Sequence, residues 1–215
     1  MSSSSPRRER IAHSAIATGK GDDGSTGLLY GGRISKDDAR AEAYGTIDEA
    51  VACLGVARAE VRALAPTAAP AGPLRDLGEM LLRLQRDLFV AGAELATNPD
   101  AWDRQRDGET RVDEAMLSGV EDMLDAAEHA AEMPRQFIVP GATRVSAALE
   151  LARTVIRRAE RRAVVLDRDG LVPGAWLMPY LNRLADLLWV LARLAEQAEG
   201  SDPTPSRTAA SRDSR

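Results

Sequence analysis

Three short stretches of this chain combine residue types that packing alone does not require. The first is TGKGDDGSTGLLYGG, residues 18–32. Its glycines expose backbone N–H groups, Ser25 and Thr26 add hydroxyls after Thr18, and Lys20 adds a cation. Such a loop can wrap a polyphosphate. Asp22 and Asp23 would repel phosphate unless a magnesium ion stands between them. Gly19, Gly21 and Gly24 match G-x-G-x-x-G, but no strong strand precedes them and the next helix starts too late for a dinucleotide fold. A P-loop fails as well, since no Gly-Lys-Ser/Thr follows a four-residue gap. A plain surface turn accounts for the composition equally well.

The second stretch, KDDARAEAYGTIDEA, covers residues 36–50. Gly45 lies inside a helical pattern, where it costs about 1 kcal/mol relative to Ala. Asp48 and Glu49 border the apolar stripe; a solvated face is the alternative reading. The third stretch is ARTVIRRAERR, residues 152–162, in which Arg153, Arg157 and Arg161 recur every four residues. Like charges at that spacing repel by a few tenths of a kcal/mol. Glu160 relieves only part of this. The stripe suits a phosphate chain or the carboxylates of another helix or subunit, or it is a solvated basic face.

Composition narrows the classes. With 215 residues and 44% hydrophobic residues, the chain can bury one sizeable core. Aromatics are only 4%, so Leu, Val, Ile, Met and Ala must build it, which favours helices. The formal net charge of -5 and a pI near 5.2 disfavour a general nucleic-acid binder. The single cysteine, Cys53, excludes an intrachain disulfide and a cysteine-based zinc cluster. Only His13 and His129 remain for a histidine-based metal site. No apolar run is long enough to span a membrane and the N-terminus lacks a signal-peptide core, so a cytoplasmic protein is expected. Of the 28 basic residues only Lys20 and Lys36 are lysines, and both fall in the Gly- and Asp-rich segment. GC-rich coding explains the scarcity; a flexible point charge near a phosphate explains the place.

The elements that must position these residues are helical. Periodicity predicts helices over about 37–64, 73–96, 111–131, 143–167 and 175–199. Their stripes run through Tyr44, Ile47, Val51, Leu54 and Val61; Leu74, Leu77, Leu81, Leu84, Leu88, Ala91 and Leu95; Val112, Met116, Val120, Met123, Leu124 and Ala127; Val145, Leu149, Ala152, Ile156 and Ala159; and Leu177, Leu181, Leu184, Leu188, Leu191 and Ala195. Turn signals at Pro66–Pro73, Asn98-Pro99 with Gly108, Pro134–Gly141 and Gly170–Gly174 separate them. No useful strand pattern competes. The expectation is an all-α domain over 16–200, a five-helix up-and-down bundle. Polar, aperiodic tails over 1–15 and 201–215 are expected to be disordered.

Three blocks carry a family resemblance: TGKGDDGSTGLLYGGRISKDDARAEAYGTIDE (18–49), FIVPGATRVSAALELARTVIRRAERR (137–162) and YLNRLADLLWVLAR (180–193). In order and spacing they resemble the PduO-type ATP:cob(I)alamin adenosyltransferases, over about residues 16–199. The resemblance implies a bundle ferritin-like in general shape that assembles as a homotrimer, with sites between subunits. ATP would be held by Thr18, Lys20, Gly21, Asp22, Gly24, Ser25, Thr26, Lys36 and Glu42, and by Arg157, Glu160 and Asn182. Arg153 corresponds to an arginine that pairs across the interface with the acid at Asp48. Phe137 corresponds to an aromatic residue that crowds the lower face of the corrin. ATP with its magnesium, and cobalamin, are the implied ligands; the protein alone is expected to hold no metal. A cobalt reductase and an adenosylcobalamin-dependent mutase are the implied partners, with no nucleic acid and no membrane.

Relatives often carry Thr or Asn at Lys20, Gly at Ala142, His at Glu150, Ser at Ala185 and Phe at Trp189. Glu150 therefore places a negative charge one turn before Arg153, where it would compete with Asp48. A different class of function is an escort that holds adenosylated corrinoid for a mutase with little turnover. The retained Arg157 and Asn182 favour the enzyme. A purely structural bundle leaves the glycine loop and the arginine stripe unexplained.

Overall fold

A computed structural model describes residues 16–64 and 76–207. The expected tail over 1–15, the Pro66–Pro73 connection, Leu74 and residues 208–215 lie outside the described residues. The described residues form five α-helices: α1 Ala39–Leu64, α2 Leu77–Ala96, α3 Glu114–Ala130, α4 Arg144–Arg168 and α5 Leu177–Ala198. A 3-10 turn, Pro99–Arg104, follows α2.

Three of the helices, α1, α3 and α4, begin where the sequence supplies a side-chain cap. The Asp38 carboxylate accepts the Arg40 N–H at 2.8 Å, and Asp113 accepts the Met116 N–H at 2.8 Å. Thr143 and Ser146 form a reciprocal capping box on α4. Such side-chain acceptors satisfy N–H groups that have no partner within the helix. The predicted stripes turn inward: Leu81, Leu84, Leu88, Ala91 and Leu95 of α2 are fully buried, as are Leu149, Ala152, Ile156 and Ala159 of α4. Helix α5 also buries Tyr180, Leu187, Val190 and Leu194, as a helix packed on more than one side must.

Spatial order departs from a bundle in which sequence neighbours always touch. Helix α1 packs between α2 and α4, while α5 packs between α4 and α3. Ion pairs fix directions: Glu42–Arg162 and Glu60–Arg144 make α1 and α4 antiparallel. Helix α3 packs chiefly on the last helix, not on its neighbours in sequence, because the long connection over 97–113 carries the chain across.

Two short antiparallel strand pairs also correct the expectation of no strands. β1 Ser25–Gly27 pairs antiparallel with β2 Arg33–Ser35, so the glycine-rich segment is a hairpin with its own ladder. Its turn passes through Tyr30, Gly31 and Gly32, all at positive φ, a conformation that glycine adopts at no steric cost. β3 Ile138–Val139 pairs antiparallel with β4 Thr204–Pro205. Residues 201–207, assigned to a disordered tail on composition, are therefore ordered by pairing, and the Ser206 N–H donates to the Phe137 carbonyl at 2.8 Å. Composition registers polarity, and backbone pairing does not depend on it.

Candidate active site

The hairpin gathers most of the residues expected to hold phosphate. Lys36 lies just beyond β2 and donates from Nζ to the Gly21 carbonyl at 2.8 Å. A Cβ at Gly21 would stand 3.0 Å from that Nζ and 3.2 Å from the Ser25 carbonyl, so the lysine crosses a backbone without a side chain. Arg33 donates to the Lys20 carbonyl at 2.6 Å and to Ser25 Oγ at 2.9 Å. Asp23 accepts both the Ser25 N–H and its hydroxyl, and these bonds, with Arg33 nearby, hold its carboxyl below the usual range. Ser25 and Thr26 thus lie on β1, Thr18, Lys20, Gly21, Asp22 and Gly24 lead into it, and Lys36 follows β2.

Backbone bonds to the end of α2 anchor this hairpin, near two buried charged residues that the sequence reading passed over. The Leu29 N–H donates to the Ala96 carbonyl, and the Asn98 N–H donates to the Leu29 carbonyl. Beneath them the buried Arg40 donates to the carbonyls of Leu95, Thr97 and Leu171 at 2.8, 3.3 and 3.2 Å. Glu94, also buried, accepts the N–H groups of Val112 at 2.8 Å and Gly174 at 3.1 Å. Burial pushes its carboxyl up to about 7, against the pull of those two donors. The available signal for Glu94 was its position three residues after Ala91, on the apolar stripe.

Helices α1 and α4 face each other through a ladder of acids and arginines. Glu42 pairs with Arg162 at 3.2 Å, Glu49 with Arg158, and Glu60 with Arg144 at 2.9 Å. Glu42, expected to touch nucleotide, is therefore a rung of this ladder in the single chain. The Arg161 guanidinium donates to the Arg157 carbonyl. Among the described residues, the side chains of Asp48, Arg157, Glu160 and Asn182 make no hydrogen bond or ion pair. Asp48, Arg157 and Asn182 are exposed.

The remaining expected residues sit on two separate concavities. Asp48 is the single charge on an apolar groove between α1 and α2, lined by Leu29, Tyr44, Ile47, Leu88 and Phe89 among others. Arg153 lines a cleft of about 460 Å³ with Phe137, Glu150 and Trp189 on the α4 and α5 side. One chain does not bring Asp48 to Arg153. Instead Arg153 Nε donates to Glu150 at 2.6 Å. Arg193, 1% exposed, donates to Glu150 at 3.2 Å and to Glu196 at 3.0 Å. Its guanidinium also lies 5.7 Å from the Trp189 ring centre. Phe137 is 89% exposed at the cleft mouth, an unusual place for a ring that packing alone would bury. Arg193 and Glu196 were missed; their signal was charge inside the apolar run LLWVLARLAEQ.

Comparison with known proteins gives this geometry a context. The family described as Cobalamin adenosyltransferase matches residues 16–195. The corrinoid adenosyltransferase of Citrobacter freundii is 36% identical over 181 residues, covering 84% of this chain and 94% of that protein. That of Bacillus subtilis is 37% identical, covering 86% and 88%. The corrinoid adenosyltransferase PduO of Salmonella typhimurium is 38% identical, and this chain covers 50% of its length. Among solved structures, a variant PduO-type ATP:corrinoid adenosyltransferase from Lactobacillus reuteri, complexed with cobalamin and ATP, superposes with a TM-score of 0.77. It is 28% identical, and the match covers 90% of this chain and 97% of that one. Another variant of that enzyme, complexed with ATP, gives 0.74.

Proposed function

The chain belongs to the cobalamin adenosyltransferase family and is a corrinoid adenosyltransferase, and from that membership we propose how its residues divide the work. ATP and cob(I)alamin meet between subunits of a homotrimer. The hairpin of one subunit holds the phosphates through Lys20, Lys36 and the N–H groups around Gly21, Gly24, Ser25 and Thr26. Arg157 of α4, with Glu160 and Asn182 nearby in the family motifs, completes the nucleotide site from the adjacent subunit. Glu42 supports this site through its pairing with Arg162.

One observation carries the reading. In a ladder where Glu42, Glu49 and Glu60 all find arginines, Arg157 and Asp48 are left exposed and unpaired. Asp48 faces the α2 side and Arg153 the α5 side, so a second copy is needed to join them. A site shared between copies would give both unpaired charges a partner.

The reacting nucleophile, cobalt(I), comes with the substrate, and no Ser–His or Cys–His pair is required. Its electron pair forms the bond to the 5′ carbon of ATP, and the pair of the breaking carbon–oxygen bond leaves with triphosphate. Arg157, Lys20 and Lys36 stabilise that developing charge. Magnesium would enter with ATP and offset the charge of its phosphates. Phe137 covers the lower face of the corrin and excludes an axial ligand there. Among the described residues no helix is long and apolar enough to cross a membrane. The reading places the enzyme in the cytoplasm, taking its corrinoid from a cobalt reductase and passing the product to a mutase.

The test is an anaerobic assay with chemically reduced cobalamin and MgATP, following loss of the cobalt(I) spectrum, with sedimentation to count subunits. Stoichiometric binding without turnover would instead identify an escort.

A further inference from the structure

The buried charges beside the Phe137 cleft have a geometry that packing does not demand. Arg193 and Glu196 are each 1% exposed, Glu150 is 4% exposed, and Arg153 reaches this group from the cleft wall. Burying ions is costly, and such a cluster is retained only where its members neutralise and orient one another. Here two carboxylates and two guanidinium groups balance. Each arm has a distinct job. Arg193 spans both acids from one terminal nitrogen, so the Glu150 carboxylate cannot rotate freely. Glu150 then uses its other oxygen to take Nε of Arg153.

That last contact decides what Arg153 can do. A guanidinium carries five N–H donors in a rigid planar fork. Nε is the inner donor, and holding it fixes the plane while both terminal nitrogens stay available. Among the described residues these two nitrogens have no acceptor. We infer that Glu150, braced by Arg193 and Glu196, is a positioning residue that aims the Arg153 fork at a carboxylate from a neighbouring subunit. Glu150 therefore serves the pairing with Asp48 and does not compete with it, in contrast to the expectation from sequence. The inference rests on the assignment of Arg153 and Asp48 to a shared site.

Three variants test it, each assayed under conditions where melting and sedimentation show it folded and assembled. Glu150→Gln keeps shape but weakens acceptance from Nε. Glu150→Asp keeps charge but is one methylene too short to span Arg153 and Arg193. Arg153→Lys keeps charge but lacks the fork. Each should raise KM for cob(I)alamin about tenfold, the scale of one charge-assisted hydrogen bond, with KM for ATP unchanged. The fraction of bound cob(II)alamin converted to the four-coordinate form should fall in parallel. In an Arg153→Ala background, Glu150→Gln should change either quantity less than about twofold, because the two residues act in series.

Equal losses from Glu150→Gln with and without Arg153 would overturn the inference, as would Arg153→Lys behaving like wild type. If Glu150→Gln only lowers the melting temperature, the cluster is structural and the inference is again overturned. If Arg153→Ala itself leaves KM for corrinoid unchanged, the assignment of Arg153 to the site has failed first. Should Glu150→Gln not fold, Glu150→Asp and Arg153→Lys decide the matter by the same measurements.

Discussion

Arg157 and Arg193 are both helical arginines on the two helices that form one wall of the molecule, yet their surroundings are opposite. Arg157 is exposed on α4 and, among the described residues, its side chain pairs with no acid. Arg193 is 1% exposed on α5 and holds two carboxylates. The difference separates two uses of charge. A charge kept in water without a partner is inexpensive to maintain and ready for a ligand or another subunit. A charge sealed inside is committed to orienting its neighbours, and removing one member strands the rest. Variants at exposed charges should therefore change turnover and spare stability, whereas variants at buried ones should change stability or its pH dependence.

The sharpest way to break this contrast is Arg157→Ala. It should lower transition-state stabilisation by about 2–4 kcal/mol, since one charge-assisted contact to the departing triphosphate is lost. The melting temperature and the subunit stoichiometry should be unchanged. Single-turnover kinetics with saturating ATP check the first half, and calorimetry checks the second. A near-normal rate would remove Arg157 from the site.

On the buried side, Glu94 makes the complementary case through pH. Its carboxyl is raised from 4.5 to about 7, chiefly by burial. Below pH 4.5 the group is protonated whether the chain is folded or not, and it costs nothing. As pH rises from about 4.5 to about 7 the unfolded carboxyl ionises while the folded one resists, so stability falls, by about 3 kcal/mol in all, and levels off above about 7. Glu94→Gln cannot ionise and keeps one acceptor for Val112 or Gly174. The stability of wild type minus that of the variant should fall between pH 5 and pH 8, measured by urea unfolding. A flat difference would show that the Val112 and Gly174 donors fully compensate the burial.

A third measurement joins the two regions. Asp48→Asn and Arg153→Ala should each weaken assembly and catalysis, and the double variant should be barely worse than either single one, with a coupling of about 1–2 kcal/mol. Additive losses would mean that Arg153 answers only to Glu150.

The same contrast explains what could be read before the structure. The five helices were legible because the stripes through Leu81, Leu84 and Leu88, or through Leu181, Leu184 and Leu188, repeat at helical spacing. The hairpin residues were legible as a cluster because they lie within a few positions of one another. Glu94 was not, since its donors come from Val112 and from Gly174, far along the chain. Nor was the Glu150–Arg193 pair, whose members are 43 positions apart on different helices. Local periodicity predicts what a helix hides but not which distant charge meets it there. The ordering of residues 201–207 escaped for the same reason: Thr204 and Pro205 are fixed by Val139 and Ile138, not by their neighbours.

A small effect on stability is also expected at Phe137, and that smallness is itself informative. Loss of a buried Phe costs about 3–5 kcal/mol through lost transfer energy and the cavity left behind. Phe137 is 89% exposed, and its loop is held by backbone bonds from Ser206 and by the pairing of Ile138 and Val139. Phe137→Ala should thus change unfolding free energy by no more than about 0.5 kcal/mol, the range of an ordinary surface change. KM for ATP should also stay the same, because the hairpin is elsewhere. What should change is the cobalt: without the ring, water or the nucleotide tail can return to the lower face. Bound cob(II)alamin then remains five-coordinate in the visible spectrum and becomes harder to reduce. A variant that melts several degrees lower and keeps the four-coordinate signal would show that the ring packs against the protein and that another group excludes the axial ligand.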